Sequence, residues 1–304
     1  MEIENIKELE QIINKTGDYN SVLPLIENTN KFFECIAVKR SDLYNIFKTY
    51  HHHDLYEIIY IVKGKIQFYI EEKKYELSDG DMILVSPNLL HKLVFTEESE
   101  CERIIINFTE NYAKSFQTER TNILEIFSLI DKKGMHKISF YPEKRKRLEM
   151  YFKEMAKNQF SSVFGADLSF NINFLEFMLL VNKVYMNLNE GELIYKNIND
   201  PYITKAIEYI NKNIEKRIQL SDIANHLSLS VSRISHLFKE TTGLSIMNYI
   251  IKKRLVLAQK LLKNGVHIKD VYCQCGFPDE ASFFRYFKQE YNTTPKKFAQ
   301  NARI

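Results

Sequence analysis

Short runs of β-branched and aromatic residues fill the first third of the chain. Tyr56 to Val62, Ile66 to Ile70, Met82 to Val85 and Ile104 to Phe108 each suit one strand, and turn signals part them at Lys63-Gly64, Ser78-Asp79-Gly80 and Ser86-Pro87-Asn88. Short strands punctuated in this way predict an antiparallel sandwich or barrel over roughly Phe32 to Phe108. Beyond about Asn111 the apolar spacing changes to three and four. Pro142 stands where a helix can begin, and Leu148, Tyr151, Phe152, Met155 and Ala156 follow on one face. A further helix from about Asp167 carries a stripe of Phe170, Phe174, Phe177, Met178 and Val181. Such a stripe packs into the chain's own core or against a second subunit, and spacing alone leaves both open.

Asn197 to Pro201 interrupts the pattern, and from Ile203 the chain reads as helical almost to its end. Leu220 to Leu227 is a short helix with Ala224 as the small residue at a crossing, and Ser228-Leu229-Ser230 is its turn. Ser230 is a good N-cap for a second helix, Val231 to Glu240, with Ile234, Leu237 and Phe238 inward. Ser232, Arg233, Ser235, His236 and Lys239 then face outward. The same grammar recurs. Ile268 to Cys275 is a short helix, Gly276-Phe277-Pro278-Asp279 a turn, and Glu280 to Gln289 a helix with Phe283 and Phe287 inward. Its outward residues include Glu280, Ala281, Phe284, Arg285 and Lys288. Polar donors on the outer face of the second helix of such a pair suit the reading of base edges in a major groove. One helix, about Ser245 to Lys263, joins the units. At ~1.5 Å per residue it spans roughly 27 Å, which with the helix widths approaches the ~34 Å repeat of successive major grooves.

The stretch from Ile210 to Pro295 resembles the AraC/XylS family of transcription regulators. Leu237-Phe238-Lys239, Gly243, Arg254-Leu255 and Ala258 carry the likeness in the first unit and the connecting helix. Gly276-Phe277-x-Asp279, Phe283, Arg285, Phe287-Lys288 and Thr294-Pro295 carry it in the second. Tyr272 departs from the family's usual Ala and calls for a repacked crossing, whereas Asn292 in place of Gly tolerates the left-handed backbone. The resemblance places the base-reading face on Ser232, Ser235 and His236 and on Glu280, Ala281 and Arg285. The planar fork of Arg285 matches guanine O6 and N7, while Lys239 and Lys288 fit phosphates. The resemblance further implies an effector-controlled activator, a homodimer, and RNA polymerase as a partner.

Charge agrees with this division. From Asn197 onward 17 Lys and Arg stand against 9 Asp and Glu, a balance of +8, whereas the rest of the chain carries −5 within an overall +3. A basic module on an acidic one directs only the former to a polyanion. Cys35, Cys101, Cys273 and Cys275 are too sparse for a disulfide scaffold, and Cys273 and Cys275 read as buried small hydrophobes. Glu2, Glu4, Glu8 and Glu10 are unlike a signal peptide, and the apolar run Phe174 to Val181 is too short to span a bilayer. These features predict a cytoplasmic protein without a membrane partner.

The strand-rich region carries chemistry of its own. His51 and His53 are followed by Glu57 after three residues and Gly64 after six more, with Asp79-Gly80-Asp81, Pro87 and His91 beyond. The spacing resembles the metal motif of cupins, although Phe95 stands where many cupins place Asn. Three imidazoles and a carboxylate converging inside a barrel suit Zn, Ni, Fe or Mn on His51, His53, Glu57 and His91, and with open positions oxygen or isomerase chemistry. The His-x-His-Asp-x-Tyr-Glu segment and the later Pro-x-x-x-His also resemble the ligand-binding domain of AraC-type regulators. That resemblance implies a pocket for a small polar effector such as a carbohydrate, lined by His51, His53, Tyr56, Glu57 and His91, with no cofactor required. His52 is expected on the opposite face, in solvent. Together these readings predict an α+β chain of two domains rather than an enzyme. A helical extension covers 1–30, a cupin-like antiparallel β-barrel 31–110, a helical linker or dimerisation region 111–196, and an all-α double helix-turn-helix 197–304.

Overall fold

The computed structural model describes residues 50–95, 101–159, 161–187 and 200–301 and the backbone of 31–38; the helical extension expected over 1–30 and the side chain of Cys35 lie outside the described residues. The chain divides into two compact units, one of Met1–Ile70 with Lys74–Asn197, the other of Ile198–Ile304 with Glu71–Lys73.

The first unit is built on eight strands: β1 (Lys31–Val38), β2 (Tyr56–Lys63), β3 (Ile66–Ile70), β4 (Lys73–Leu77), β5 (Asp81–Val85), β6 (His91–Phe95), β7 (Cys101–Phe108) and β8 (Lys137–Ser139). They form two sheets, ordered β1-β7-β2-β5-β8 and β4-β3-β6. Both faces of β2 are buried, which explains its nearly unbroken apolar run. Ile59 and Ile61 of β2 join Ile83, Val85, Phe68, Leu93 and Ile105 in a core between the sheets. Their neighbours Ile58 and Tyr60 point the other way, joining Met82, Leu84, Ile104, Ile106 and Phe108 under a helical layer. Gly80 closes the turn before β5 at φ +82°, and a side chain there would run into the Arg145 guanidinium. The buried carboxylate of Asp81 accepts from the Ser78 amide at 2.7 Å, the Ser139 hydroxyl at 2.6 Å and Lys137 Nζ at 2.8 Å, so Asp79-Gly80-Asp81 is structural.

The helical layer comprises α1 (Glu110–Lys114), α2 (Glu125–Lys133), α3 (Pro142–Asn158) and α4 (Ala166–Met186). Pro142 occupies the first turn of α3, where its missing amide costs nothing. The stripe Phe170, Phe174, Phe177, Met178 and Val181 on α4 is buried against the sheet. It is therefore core of this chain, which answers the alternative of a second subunit. Buried Asn182 fastens α4 to α2, accepting from the Ile126 amide and donating to the Ile123 and Met178 carbonyls.

The second unit is all helical: α5 (Pro201–Asn213), α6 (Leu220–His226), α7 (Val231–Thr242), α8 (Ile246–Lys263), α9 (Ile268–Gln274), α10 (Glu280–Tyr291) and α11 (Pro295–Asn301). Asp200, Ser230, Ser245 and Asp279 cap α5, α7, α8 and α10, each accepting from an amide of the following turn. Gly243 and Asn292 close α7 and α10 in the left-handed conformation, at φ +79° and +52°. Buried Arg254 on α8 donates to the carbonyls of Ile214 (3.1 Å) and Lys216 (2.6 Å), tying that helix to the α5–α6 connection. Gly276 meets the same connection: a Cβ there would lie 2.6 Å from the Ile214 carbonyl oxygen.

Candidate functional site

The second unit presents two helix pairs of like construction. In the first, α6 packs on α7 with Ala224 buried at the crossing, and Ile234 and Phe238 anchor α7 inward. The Ser230 hydroxyl accepts from the Arg233 amide at 3.2 Å and fixes where α7 begins. Ser232, Arg233, His236 and Lys239 are exposed, while Ser235 is half-buried. His236 Nδ1 lies 3.6 Å from a Glu240 carboxylate oxygen, one turn along. In the second pair Phe283 and Phe287 anchor α10 into a core with Val271, Cys275 and Phe277. Asp279 caps it, accepting from the Ser282 amide at 2.7 Å and the Ser282 hydroxyl at 3.0 Å. Both bonds hold its carboxyl below the usual aspartate range. Glu280, Ala281, Arg285 and Lys288 are exposed on α10, with the Arg285 guanidinium 4.8 Å from the Tyr286 ring.

Two departures from expectation are local. Tyr272 sits half-buried at the margin of the second core, so Val271 and Cys275, rather than a small residue at 272, carry the packing of α9. Of the C-x-C pair only Cys275 is buried; Cys273 is exposed because the helix turns it outward.

In the first unit the backbones of His51 and His91 pair antiparallel, N–H to O=C at 3.0 and 2.9 Å, setting their rings 4.2 Å apart. His53 follows on the same side, its ring 4.9 Å from that of His91. The Asn88 amide donates to the His53 carbonyl at 2.8 Å, and its side-chain amide donates to Asp54 at 3.1 Å, so the Ser86-Pro87-Asn88 turn holds this segment in place. Glu57 enters from β2, with Oε2 3.5 Å from His53 Nε2 and 3.2 Å from His91 Nε2. One ligand nitrogen from each of His51, His53 and His91 lies within 4.8 Å of the others. His53, Glu57 and His91 are buried and His51 is half-buried. Burial lowers the His53 pKa against the opposing pull of Glu57. Burial alone would raise Glu57, but its contacts with His53 and His91 outweigh that and hold it well below the usual glutamate range.

Tyr56 is not part of this cluster. The alternation that turns Glu57 inward sends Tyr56 to the helical layer, where it stacks on Phe108 at 5.4 Å and meets Phe127 edge-on. His52 is buried, contrary to a place in solvent. Sequence reasoning missed Asn107 and Arg103, buried on β7; Asn107 lies opposite Glu57, and Arg103 sits 5.7 Å from the Phe95 ring. Their alternation with Ile105 was the available signal.

The profile of the AraC-like ligand-binding domain matches residues 36–161, and that of a helix-turn-helix domain matches 223–301. The chain belongs to the AraC family of transcription regulators. An AraC-family member is a DNA-binding regulator and not an enzyme. Among relatives, the uncharacterized HTH-type transcriptional regulator YdeC of Bacillus subtilis is 24% identical over 261 residues, covering 82% of this chain and 84% of its own. The xylose operon regulatory protein of Haemophilus influenzae is 31% identical over 108 residues, 35% of this chain and 28% of its own. Among solved structures, ToxT of Vibrio cholerae aligns over 90% of this chain and 98% of its own, at 16% identity and a TM-score of 0.34. No helix among the described residues is long and apolar enough to cross a membrane.

Proposed function

We propose that this AraC-family regulator grips two adjacent major-groove half-sites of duplex DNA through α7 and α10, under control of a small polar effector held by its N-terminal unit. The observation that carries the reading is the duplication of a capped helix whose inner face is anchored by aromatics and whose outer face is polar and exposed. Ser232, Arg233, Ser235 and His236 read the first half-site, and Glu280, Ala281 and Arg285 the second. Lys239 and Lys288 position phosphates. The exposure of Arg285 supports its assignment to a guanine edge. The test is competition binding by the full chain against a panel of duplexes. Arg285→Ala should relax preference at one base pair by about 1–3 kcal/mol, roughly 5- to 150-fold. An unchanged preference removes Arg285 from base reading.

The effector end of the barrel is assigned to His51, His53, Glu57 and His91, with Asn107 beside them. Buried polar groups gathered at one end of an otherwise apolar core favour a hydroxylated ligand such as a carbohydrate. A thermal-shift screen of sugars against organic acids distinguishes ligand classes.

A homodimer fits the outer face of α4. Phe164, Leu168, Ile172 and Met186 are exposed there, with Leu175 and Leu179 half-buried between them. Leu168, Ile172, Leu175 and Leu179 recur at spacings of three and four, so they form one stripe along which two copies of the helix could pack. Ile172→Glu should shift sedimentation of the full chain to the monomer. Such a dimer works in the cytoplasm on promoter DNA, where RNA polymerase is the partner through which it activates; a promoter reporter carrying the selected site reads that sign.

A further inference from the structure

We propose that the solvent face of α3, in the first unit, binds the phosphate backbone of duplex DNA outside the two half-sites. This second, sequence-independent contact rests on the reading of α7 and α10 as the groove-reading helices.

The chain up to residue 196 is acidic, but α3 is not. It carries Lys144, Arg145, Lys146, Arg147, Lys153 and Lys157 against Glu143, Glu149 and Glu154, a balance of +3, so the other residues of that stretch stand at −8. Leu148, Tyr151, Phe152 and Met155 turn the apolar face of the helix to the core, and the helical period fixes what lies opposite. Lys146, Met150, Lys153 and Lys157 follow there at spacings of four, three and four, and all four are exposed, Met150 to 67%. At ~1.5 Å per residue they form one row of ~16 Å.

Nothing in the chain answers these charges. The two arginines are already engaged: Arg145 Nε donates to the Phe140 carbonyl at 2.7 Å and Arg147 Nε to the Tyr151 hydroxyl at 2.8 Å. Glu154 is half-buried, with its carbonyl and its carboxylate both accepting from Asn158. Among the described residues no hydrogen bond or ion pair holds the side chain of Lys146, Lys153 or Lys157. Lys153 and Lys157 even stand one turn apart, where like charges repel. Such a row is matched by an anion from outside.

Charge complementarity selects a polyanion, and the type of side chain selects which one. Lysine is a compact point charge on a flexible stem, suited to phosphates whatever the base sequence, whereas protein interfaces are depleted of it. Each DNA strand carries one charge per ~3.4 Å of helix axis, so a row of ~16 Å faces roughly five phosphates of one strand. Once α7 and α10 hold a duplex, the chain itself tethers α3 to that polyanion, and the high local concentration of phosphate favours even a weak contact.

The test is titration of the full chain, at several salt concentrations, against two duplexes: one trimmed to the two half-sites and one extended at each end by about 10 bp of unrelated sequence, a helical turn. The wild type should bind the extended duplex more tightly and with the steeper dependence of log affinity on log salt. The triple variant Lys146→Gln, Lys153→Gln, Lys157→Gln keeps good helix formers on an exposed face, so its melting point should not change. At ~0.9 per phosphate contact it should lower the slope on the extended duplex by about 2–3 and the affinity on the order of tenfold at low salt, while matching wild type on the trimmed one. Equal wild-type slopes on both duplexes, or a triple variant that keeps the difference, overturns the proposal. So does a loss on Met150→Ala as large as that of the triple variant, which would mark the row as a protein contact. Sequence preference on the trimmed duplex is read from the same samples. If it stands while the extension adds nothing, the α3 contact alone has failed; if the wild type shows no preference, the reading of α7 and α10 has failed.

Discussion

Arg254→Met tests what holds the two helix-turn-helix units in one frame. The guanidinium makes two charge-assisted bonds, at 3.1 Å to the Ile214 carbonyl and 2.6 Å to that of Lys216, and lies 6.0 Å from the Phe277 ring. Hydrogen bonds to charged groups contribute about 1.5–3 kcal/mol each. Ile214 is half-buried and Lys216 exposed, so water takes over part of the loss. Methionine keeps the apolar stem, which removes a cavity from the account. The net cost is then about 2–4 kcal/mol. For a unit of about a hundred residues each kcal/mol moves the melting point by roughly 4–8 °C, which predicts a fall of roughly 8–30 °C. Calorimetry of the full chain is the assay, the transition of the second unit being the one that cognate DNA raises. Affinity for the two-half-site duplex should drop further than affinity for either half-site alone, because the change loosens α8 against the α5–α6 connection and leaves α7 and α10 intact. A transition that moves by less than about 2 °C would refute the bracing role and return Arg254 to the status of a packed side chain.

The remaining predictions concern single side chains. Lys239→Ala should weaken binding to every duplex alike and lower the slope of log affinity against log salt by about one, measured by titration at several salt concentrations. Burial pushes the Cys275 thiol up to about 12 and raises that of Cys101, while Cys273 is exposed. Iodoacetamide at pH 8 should therefore modify Cys273 in the native protein and reach Cys275 and Cys101 only after unfolding, as peptide mapping would show. Asp279→Ala should lower the melting point at neutral pH by uncapping α10. Because the folded carboxyl titrates below its unfolded value, its contribution is present above about pH 4 and lost as pH falls through the folded pKa, so wild type and variant should converge on acidification. A gap that stayed constant into acid would take the Ser282 bonds out of the explanation.

What was legible in the sequence follows the range of the forces involved. The capped helices of the second unit state their own boundaries: Ser230, Ser245, Asp279, Gly243 and Asn292 act within a turn of where they stand, and each does so in the structure. The runs that became β2, β3, β5 and β7 were equally plain. β1 and β6 were not singled out although Lys31–Val38 and His91–Phe95 hold several apolar residues, and β4 and β8 carry few. β4 reads Lys-Lys-Tyr-Glu-Leu, and β8 is three residues held to β5 only because α2 and α3 deliver it there. Pairing with a distant partner makes such segments strands, and no local pattern records the partner.

The same distinction sorts the functional residues. Motif spacing grouped His51, His53, Glu57 and His91, and the structure shows how the distant one arrives: its backbone pairs with that of His51 across the Ser86-Pro87-Asn88 turn. Tyr56 was misplaced although the period of two that brings Glu57 inward already excluded it, so the error lay in grouping residues by motif instead of by face. The α4 stripe went the other way: spacing located it correctly but could not say whether sheet or second subunit would cover it, because both supply an apolar surface. Covering that stripe with the sheet leaves the opposite face of α4, with Leu168 and Ile172 in solvent, as the surface whose partner remains to be accounted for. A monomeric sedimentation profile for the wild-type chain would show that these residues are tolerated in water and would overturn the pairing proposed for this face.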